Sequence, residues 1–289
     1  MSQTVGEFEA QRPLLFAIAY RMLGSAVEAE DIVQETYLRY SEVPASNIGS
    51  PRALLTTIVT RLCLNRLNSA RRQRESYVGP WLPEPLLTES DPQPTPPDLL
   101  LLHESLSMAF LVLLEELTPV ERGVFLLREV FQYEYAEIAA IVGKQEAACR
   151  QLFSRAKRHI AERRPRFKPN REEHRNLLVQ FMRAVSVGEL DGLLKLLSED
   201  VTMWVDGGGK AHGAATRPLL GRDAVARSVV GGTRLYAEPY IAEIRELNGE
   251  PAVILRVGER PVVVLFVEEE QGQITRMHVI ANPDKLQRL

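Results

Sequence analysis

The sequence predicts a multi-domain chain: two all-α units, the second with a helix-turn-helix, then an α+β unit of cone or barrel type. Three observations carry this reading. Apolar residues recur at helical spacing over residues 7–75 and again over 99–168. Between them, 76–98 concentrates Pro80, Pro83, Pro85, Pro92, Pro94, Pro96 and Pro97, which makes an extended, semi-rigid linker rather than a core element. From 172 to 289 the pattern changes to two short helices followed by β-branched runs such as PVVVLFV, starting at Pro261 and bounded by glycine or acidic turns. A chain of 289 residues is long enough to bury more than one core.

In order, Phe8 to Leu23 carries a dense apolar face, and Gly24 and Ser25 punctuate it. A helix from about Val27 to Tyr40 buries Ile32, Val33, Thr36, Tyr37 and Tyr40 and exposes Glu28, Asp31 and Glu35. The loop 41–49 holds Pro44, Asn47 and Gly49. Ser50 as N-cap and Pro51 at the first helical position then start a long helix with an inward stripe of Leu54, Leu55, Ile58, Leu62 and Leu67. Thr118 and Pro119 start another. Past the linker and second helical unit, helices are expected near 173–187 and 190–197, and strands near 201–205, 253–257, 262–267 and 274–279.

Residues 135–166 read as helix, glycine turn and basic helix. Ala136, Ile138, Ala139 and Val142 form the first stripe, and Gly143 sits where a C-cap needs positive φ. On the second helix Ala148, Cys149, Leu152, Phe153 and Ala156 face inward. That leaves Gln145, Glu146, Arg150, Gln151, Ser154, Arg155 and Arg158 outward, groups that hydrogen-bond base edges and phosphates. In the long helix after Ser50, Arg61, Asn65, Asn68 and Arg72 share the face opposite the leucines, a surface suited to phosphates and unstacked bases. The competing reading of both is a solvated polar face.

The net charge of −3 excludes a uniformly basic nucleic-acid binder, so affinity for a polyanion must be local. It is: nine Lys or Arg against two acids lie between Lys144 and Lys168, and five arginines without an acid between Arg61 and Arg74. The first fifty residues are instead acidic, which points to a second partner with a positive surface. Cys63 and Cys149 fall at inward helical positions and offer neither metal spacing nor a disulfide framework. No apolar run is long enough to span a membrane and no signal peptide is evident, so an intracellular protein without a metal or other cofactor is expected.

Taken together these strings resemble the extracytoplasmic-function (ECF) class of bacterial RNA polymerase sigma factors. Residues 29–39 (AEDIVQETYLR) are similar to its polymerase-binding helix and 50–59 (SPRALLTTIV) to its promoter-opening helix, while the segment from Glu134 to Arg158 resembles its region 4 helix-turn-helix. The resemblance implies that Asp31, Gln34 and Glu35 grip the β′ clamp of core RNA polymerase, with the β flap as a second polymerase contact. It implies that Asn47, in the loop that captures a flipped base, and Arg61, Asn65, Asn68 and Arg72 hold the minus-ten strand. Gln145, Arg150, Gln151, Ser154, Arg155 and Arg158 would read the minus-thirty-five element of promoter DNA.

Three further strings, WLPEP (Trp81, Leu82, Pro83, Glu84, Pro85), DGGGK (Asp206, Gly207, Gly208, Gly209, Lys210) and NPDKL (Asn282, Pro283, Asp284, Lys285, Leu286), resemble signatures of SigJ-like sigma factors with a SnoaL-like (NTF2-like) C-terminal domain. That resemblance implies an attached regulator whose tail and glycine loop contact the linker or the first domain. The glycine run is not a phosphate loop, because Trp204 stands where its first glycine belongs and Ala211 follows the lysine. The alternative is an isomerase or cyclase of the SnoaL type, or a ligand-sensing regulator, behind a DNA-binding front end. Asp206, Asp223, His212 and His278 would then be its acid–base candidates.

Overall fold

The computed structural model describes residues 2–74, 76–88, 105–163, 170–234 and 239–289; within these, the side chains of 2–4, 70–74 and 163 are not described. The chain forms two compact units, one from residues 1–75, 96–106 and 110–164 and the other from 76–95, 107–109 and 165–289. Both helical segments thus build one unit, and the start of the proline-rich linker belongs with the C-terminal domain.

In the first unit α1 (Ser2–Leu23), α2 (Ala26–Ser41) and α3 (Pro51–Arg74) pack together around Leu15, Ile18, Met22, Leu55 and Val59. Gly24, at φ 68°, ends α1, and Ser25 caps α2 by accepting the Glu28 N–H. The next helices are α4 (Met108–Glu115), which belongs to this unit from Phe110 onward, and α5 (Pro119–Phe125), whose Thr118–Glu121 capping box satisfies two N-terminal donors. A wider turn over Leu126–Val130 leads to α6 (Tyr135–Val142), Gly143 in the left-handed region at φ 67°, and α7 (Glu146–Arg163). One detail differs from the sequence reading. Ala136 is exposed and Ile141 is buried beside Ile138, because the core-facing arc of this two-turn helix lies further round than the stripe predicts. Residues 99–104 and 164–168 of the expected second helical segment lie outside the described residues.

The second unit has α8 (Arg171–Val187), α9 (Leu190–Leu196) and α10 (Arg222–Thr233) and a six-stranded sheet in the order β2-β1-β6-β5-β4-β3. The strands are β1 (Leu197–Asp206), β2 (Leu219–Leu220), β3 (Tyr240–Leu247), β4 (Glu250–Val257), β5 (Arg260–Glu270) and β6 (Gln273–Ile280). All neighbours are antiparallel except β1 and β6, which are parallel. Helices first and sheet afterwards is the α+β order read from the sequence. The reading missed β2, β3 and α10. For β3 a signal existed: Asn248 and Gly249 both have positive φ (54° and 74°), the two-residue hairpin turn that an Asn-Gly pair favours.

Candidate nucleic-acid interface and linker clamp

On α2, Asp31 and Gln34 are exposed, and Glu35 is half-buried and paired with Arg39 at 2.8 Å. One turn of helix alternates these acceptors with the buried Ile32, Val33 and Thr36, so the stripe faces outward because its neighbours face the core. Asn47 lies on the exposed 3-10 turn Ala45–Asn47. Asn65 and Asn68 are exposed on α3, whereas the Arg72 side chain lies outside the described residues.

Arg61 is the exception. Its guanidinium donates to the carbonyl oxygens of Ile141 and Ala140, both at 2.9 Å, at the C-terminal end of α6. Carbonyls in a last helical turn lack intrahelical donors and carry partial negative charge, which is what a cation is suited to cap. Close by, the hydroxyls of Thr56 and Tyr133 share a buried hydrogen bond of 2.8 Å. Two buried arginines add further ties within this unit: Arg122 donates to the Met22 carbonyl at 2.7 Å, and Arg21 to Ser105 Oγ at 2.7 Å. Burial lowers their pKa values to about 9 and about 10. Neither the Arg61 contact nor the buried arginines were legible in the sequence, since an arginine on a polar face does not announce a carbonyl 80 residues away.

Gln145, just before α7, and Arg150, Gln151, Ser154, Arg155 and Arg158 on it are all exposed. Arg150 pairs with Glu146 and lies over the Tyr135 ring, 4.4 Å from its centroid, and Arg155 sits 3.5 Å from Glu121. The helix therefore presents a row of donors, one of them pre-oriented by an aromatic face and a carboxylate.

In the second unit the three strings come together on Asp206, fully buried at the end of β1. Its carboxylate accepts from Tyr77 Oη (2.5 Å), the Leu82 N–H (2.8 Å) and Lys285 Nζ (2.7 Å), and its carbonyl from the Ala281 and Asn282 N–H groups (both 2.8 Å). Lys285 also donates to the Leu82 carbonyl and lies 4.0 Å from the Trp81 ring centroid, and Asn282 donates to Tyr77 Oη at 2.9 Å. Burial and the Asp206 hydrogen bond both push the Tyr77 hydroxyl up, so it stays a donor. The glycines now have a reason: a Cβ on Gly207 would collide with Ala214, and one on Gly208 (φ 58°) with the Asn282 amide. Leu82, Pro83, Glu84 and Pro85 are buried, and the segment continues with Leu86 N–H on Asn248 Oδ1 (2.8 Å) and a bridge from Leu87 to Leu247. Lys210 pairs with Asp284 at 2.5 Å. Tyr77 and Asn248, both central here, were missed by the sequence reading.

Of the four acid–base candidates only His212 lines the large cavity of this unit. Asp206 is consumed by the clamp. His278 stacks on Trp204 and bonds Glu268 at 2.9 Å on the other side of the sheet. Among the described residues no cluster of His, Cys, Asp or Glu could hold a metal, Cys63 and Cys149 are buried free thiols, and no helix is long and apolar enough to cross a membrane.

Comparison with known proteins fits this geometry. Residues 8–73 match the Sigma-70 region 2 family and residues 107–160 the Sigma-70, region 4 family. The chain is 38% identical to the ECF RNA polymerase sigma factor SigJ of Mycobacterium tuberculosis, over 97% of this chain and 92% of that protein. It belongs to the ECF RNA polymerase sigma factors. Another similar relative is the probable ECF sigma factor SigI of the same species, 33% identical over 96% of this chain and 93% of that protein. The crystal structure of M. tuberculosis SigJ aligns with a TM-score of 0.74 at 35% identity, covering 97% of each chain. As an ECF sigma factor the protein is a transcription initiation factor and not an enzyme; its partners are core RNA polymerase and promoter DNA. The similarity to SigJ extends through the C-terminal α+β domain.

Proposed function

We propose that this ECF sigma factor directs promoter-specific initiation under the control of its own C-terminal domain, which acts by holding the linker between regions 2 and 4. The observation that carries the reading is Asp206. One buried carboxylate satisfies a side chain, a backbone N–H and a lysine from the two ends of the regulatory assembly, the linker and the tail. A buried pair of this kind contributes little net stability but is costly to break, about 3–5 kcal/mol when one partner is removed. That makes it a suitable latch.

Placement supports the remaining roles in this reading. The acceptors Asp31, Gln34 and Glu35 are disposed to meet an arginine-rich helix of the polymerase β′ clamp, a charge arrangement that favours rapid and selective docking; region 4 would meet the β flap. Asn47, Asn65 and Asn68 face solvent where a melted strand could lie, with Arg61 and Arg72 as cationic partners. The exposed row on α7 supplies upstream reading. Arg61 reaches DNA only after leaving the α6 carbonyls, so strand capture and loosening of the α3–α6 contact are one event.

Run-off transcription with purified core polymerase tests this reading. A promoter-dependent transcript from genomic templates is expected, and tail truncation from Asn282 should alter its yield while polymerase binding persists. No promoter-dependent product, or wild-type yield from the truncated chain, would sink it.

A further inference from the structure

Period-two alternation along the strands sends Met203 and Val205 of β1, Leu255 of β4 and Met277 of β6 to one face of the sheet, with Trp204 and His278 on the other. That face, Phe181 and Val185 of α8 and the end of α10 enclose a cavity of about 610 Å³. Drug-sized ligand sites occupy roughly 300–1,000 Å³.

The space is built into the sequence. The last turn of α10 carries Gly231 and Gly232, where a Cβ would meet nothing within 4 Å, and Ala214, Ala215 and Ala242 occupy other wall positions. A larger apolar side chain at the half-buried Ala242 would fill volume that is now lost to packing. Among the described residues the lining holds no carboxylate; its charged members are Lys210, which pairs with Asp284, and Arg260, and both are exposed, as is His212, which also lines it. The walls therefore suit an apolar body, and the Arg260 guanidinium suits a negative group.

The same loops that line this cavity hold the linker. Lys210 and Ala211 follow Asp206 and the glycine run, and Pro283 and Leu286 alternate with Asn282 and Lys285, which bind Tyr77, Leu82 and Asp206. A molecule that shifts Leu286 or Pro283 must act on Lys285 as well. We infer that the cavity binds an amphipathic organic anion, an apolar body of roughly 15–25 non-hydrogen atoms with one acidic group, and that its occupancy sets the hold on residues 81–87. This rests on the reading of the Asp206 cluster as a regulatory clamp.

The test titrates the full-length protein with 1-anilinonaphthalene-8-sulfonate, with progesterone as a neutral molecule of similar bulk. The dye should saturate a single site, and progesterone should bind at least about tenfold more weakly, as should the dye to Arg260→Ala, whose side chain is exposed. The wall-filling variants Ala242→Phe and Val185→Phe, compared at wild-type melting temperature, should lose dye binding by a similar factor. Hydrogen exchange of the 81–87 segment should change by at least about threefold at saturation. Dye binding unaffected by Arg260→Ala or by both wall variants, or tighter progesterone binding, would overturn the site. Saturation without any change in 81–87 exchange would overturn the coupling. A transcript yield from Asp206→Ala equal to wild type would refute the regulatory clamp while leaving the dye result intact, so the two failures are separable.

Discussion

The Asp206 carboxylate draws its partners Tyr77 and Leu82 from 129 and 124 residues upstream, so one buried side chain ties the start of the linker to the end of β1. Asp206→Ala leaves Lys285 buried without its carboxylate and the Leu82 N–H without an acceptor, at a cost of about 3 kcal/mol. Hydrogen exchange at the Leu82 amide should accelerate by roughly 100-fold, while exchange in β4 and β5 stays unchanged. Glu250 offers a second residue-level test. Burial raises its carboxyl pKa to about 8, with Glu268 and Glu246 adding to the effect against the Met108 N–H hydrogen bond. The folded pKa is above the unfolded one, so this contribution to stability is fully present below about pH 4.5 and is lost as pH rises through about 8. The unfolding free energy should fall across that window, with a slope of up to about 1.4 kcal/mol per pH unit from this group, the melting temperature should fall with it, and Glu250→Gln should flatten both.

At the scale of elements, the helices other than α10 were legible because their stops and starts are local: Ser25, Ser50 and Thr118 act where the sequence puts them, and Gly143 turns the helix-turn-helix. What was not legible is which polar face meets another element. Arg61 reads as a DNA residue by its helical phase, and in the structure it caps α6. Tyr133→Phe removes the buried bond to Thr56 and should loosen the α3 packing by about 1 kcal/mol, seen as a lower urea midpoint for the helical unit. In the proposed reading the exposed face of α7 divides into reading and gripping groups. Arg150, held by Glu146 and Tyr135, is assigned to a base edge, so Arg150→Ala should relax preference at one upstream position by about 1–3 kcal/mol. Arg158→Ala should instead weaken binding evenly across sequences and reduce the salt slope by about one. Equal effects from the two in a binding-site selection assay would refute this division.

For the molecule as a whole, the class was readable because a sigma factor distributes its function over linear segments: an acidic helix, an arginine–asparagine helix and a basic recognition helix, in order. The proposed control layer was not, since it rests on long-range contacts of the linker with β1, the β3–β4 turn and the tail. In this proposal, while residues 76–88 are held there, the chain joining region 2 to region 4 has less length with which to separate two regions that touch through Arg61. Release of the clamp should therefore favour promoter engagement. The most direct measurement is run-off transcription with core polymerase for wild type and Asp206→Ala, with polymerase affinity determined in parallel. The clamp predicts a transcript yield that rises by about tenfold at unchanged polymerase affinity, equivalent to about 1.4 kcal/mol. An unchanged or lower yield at equal polymerase binding would contradict it.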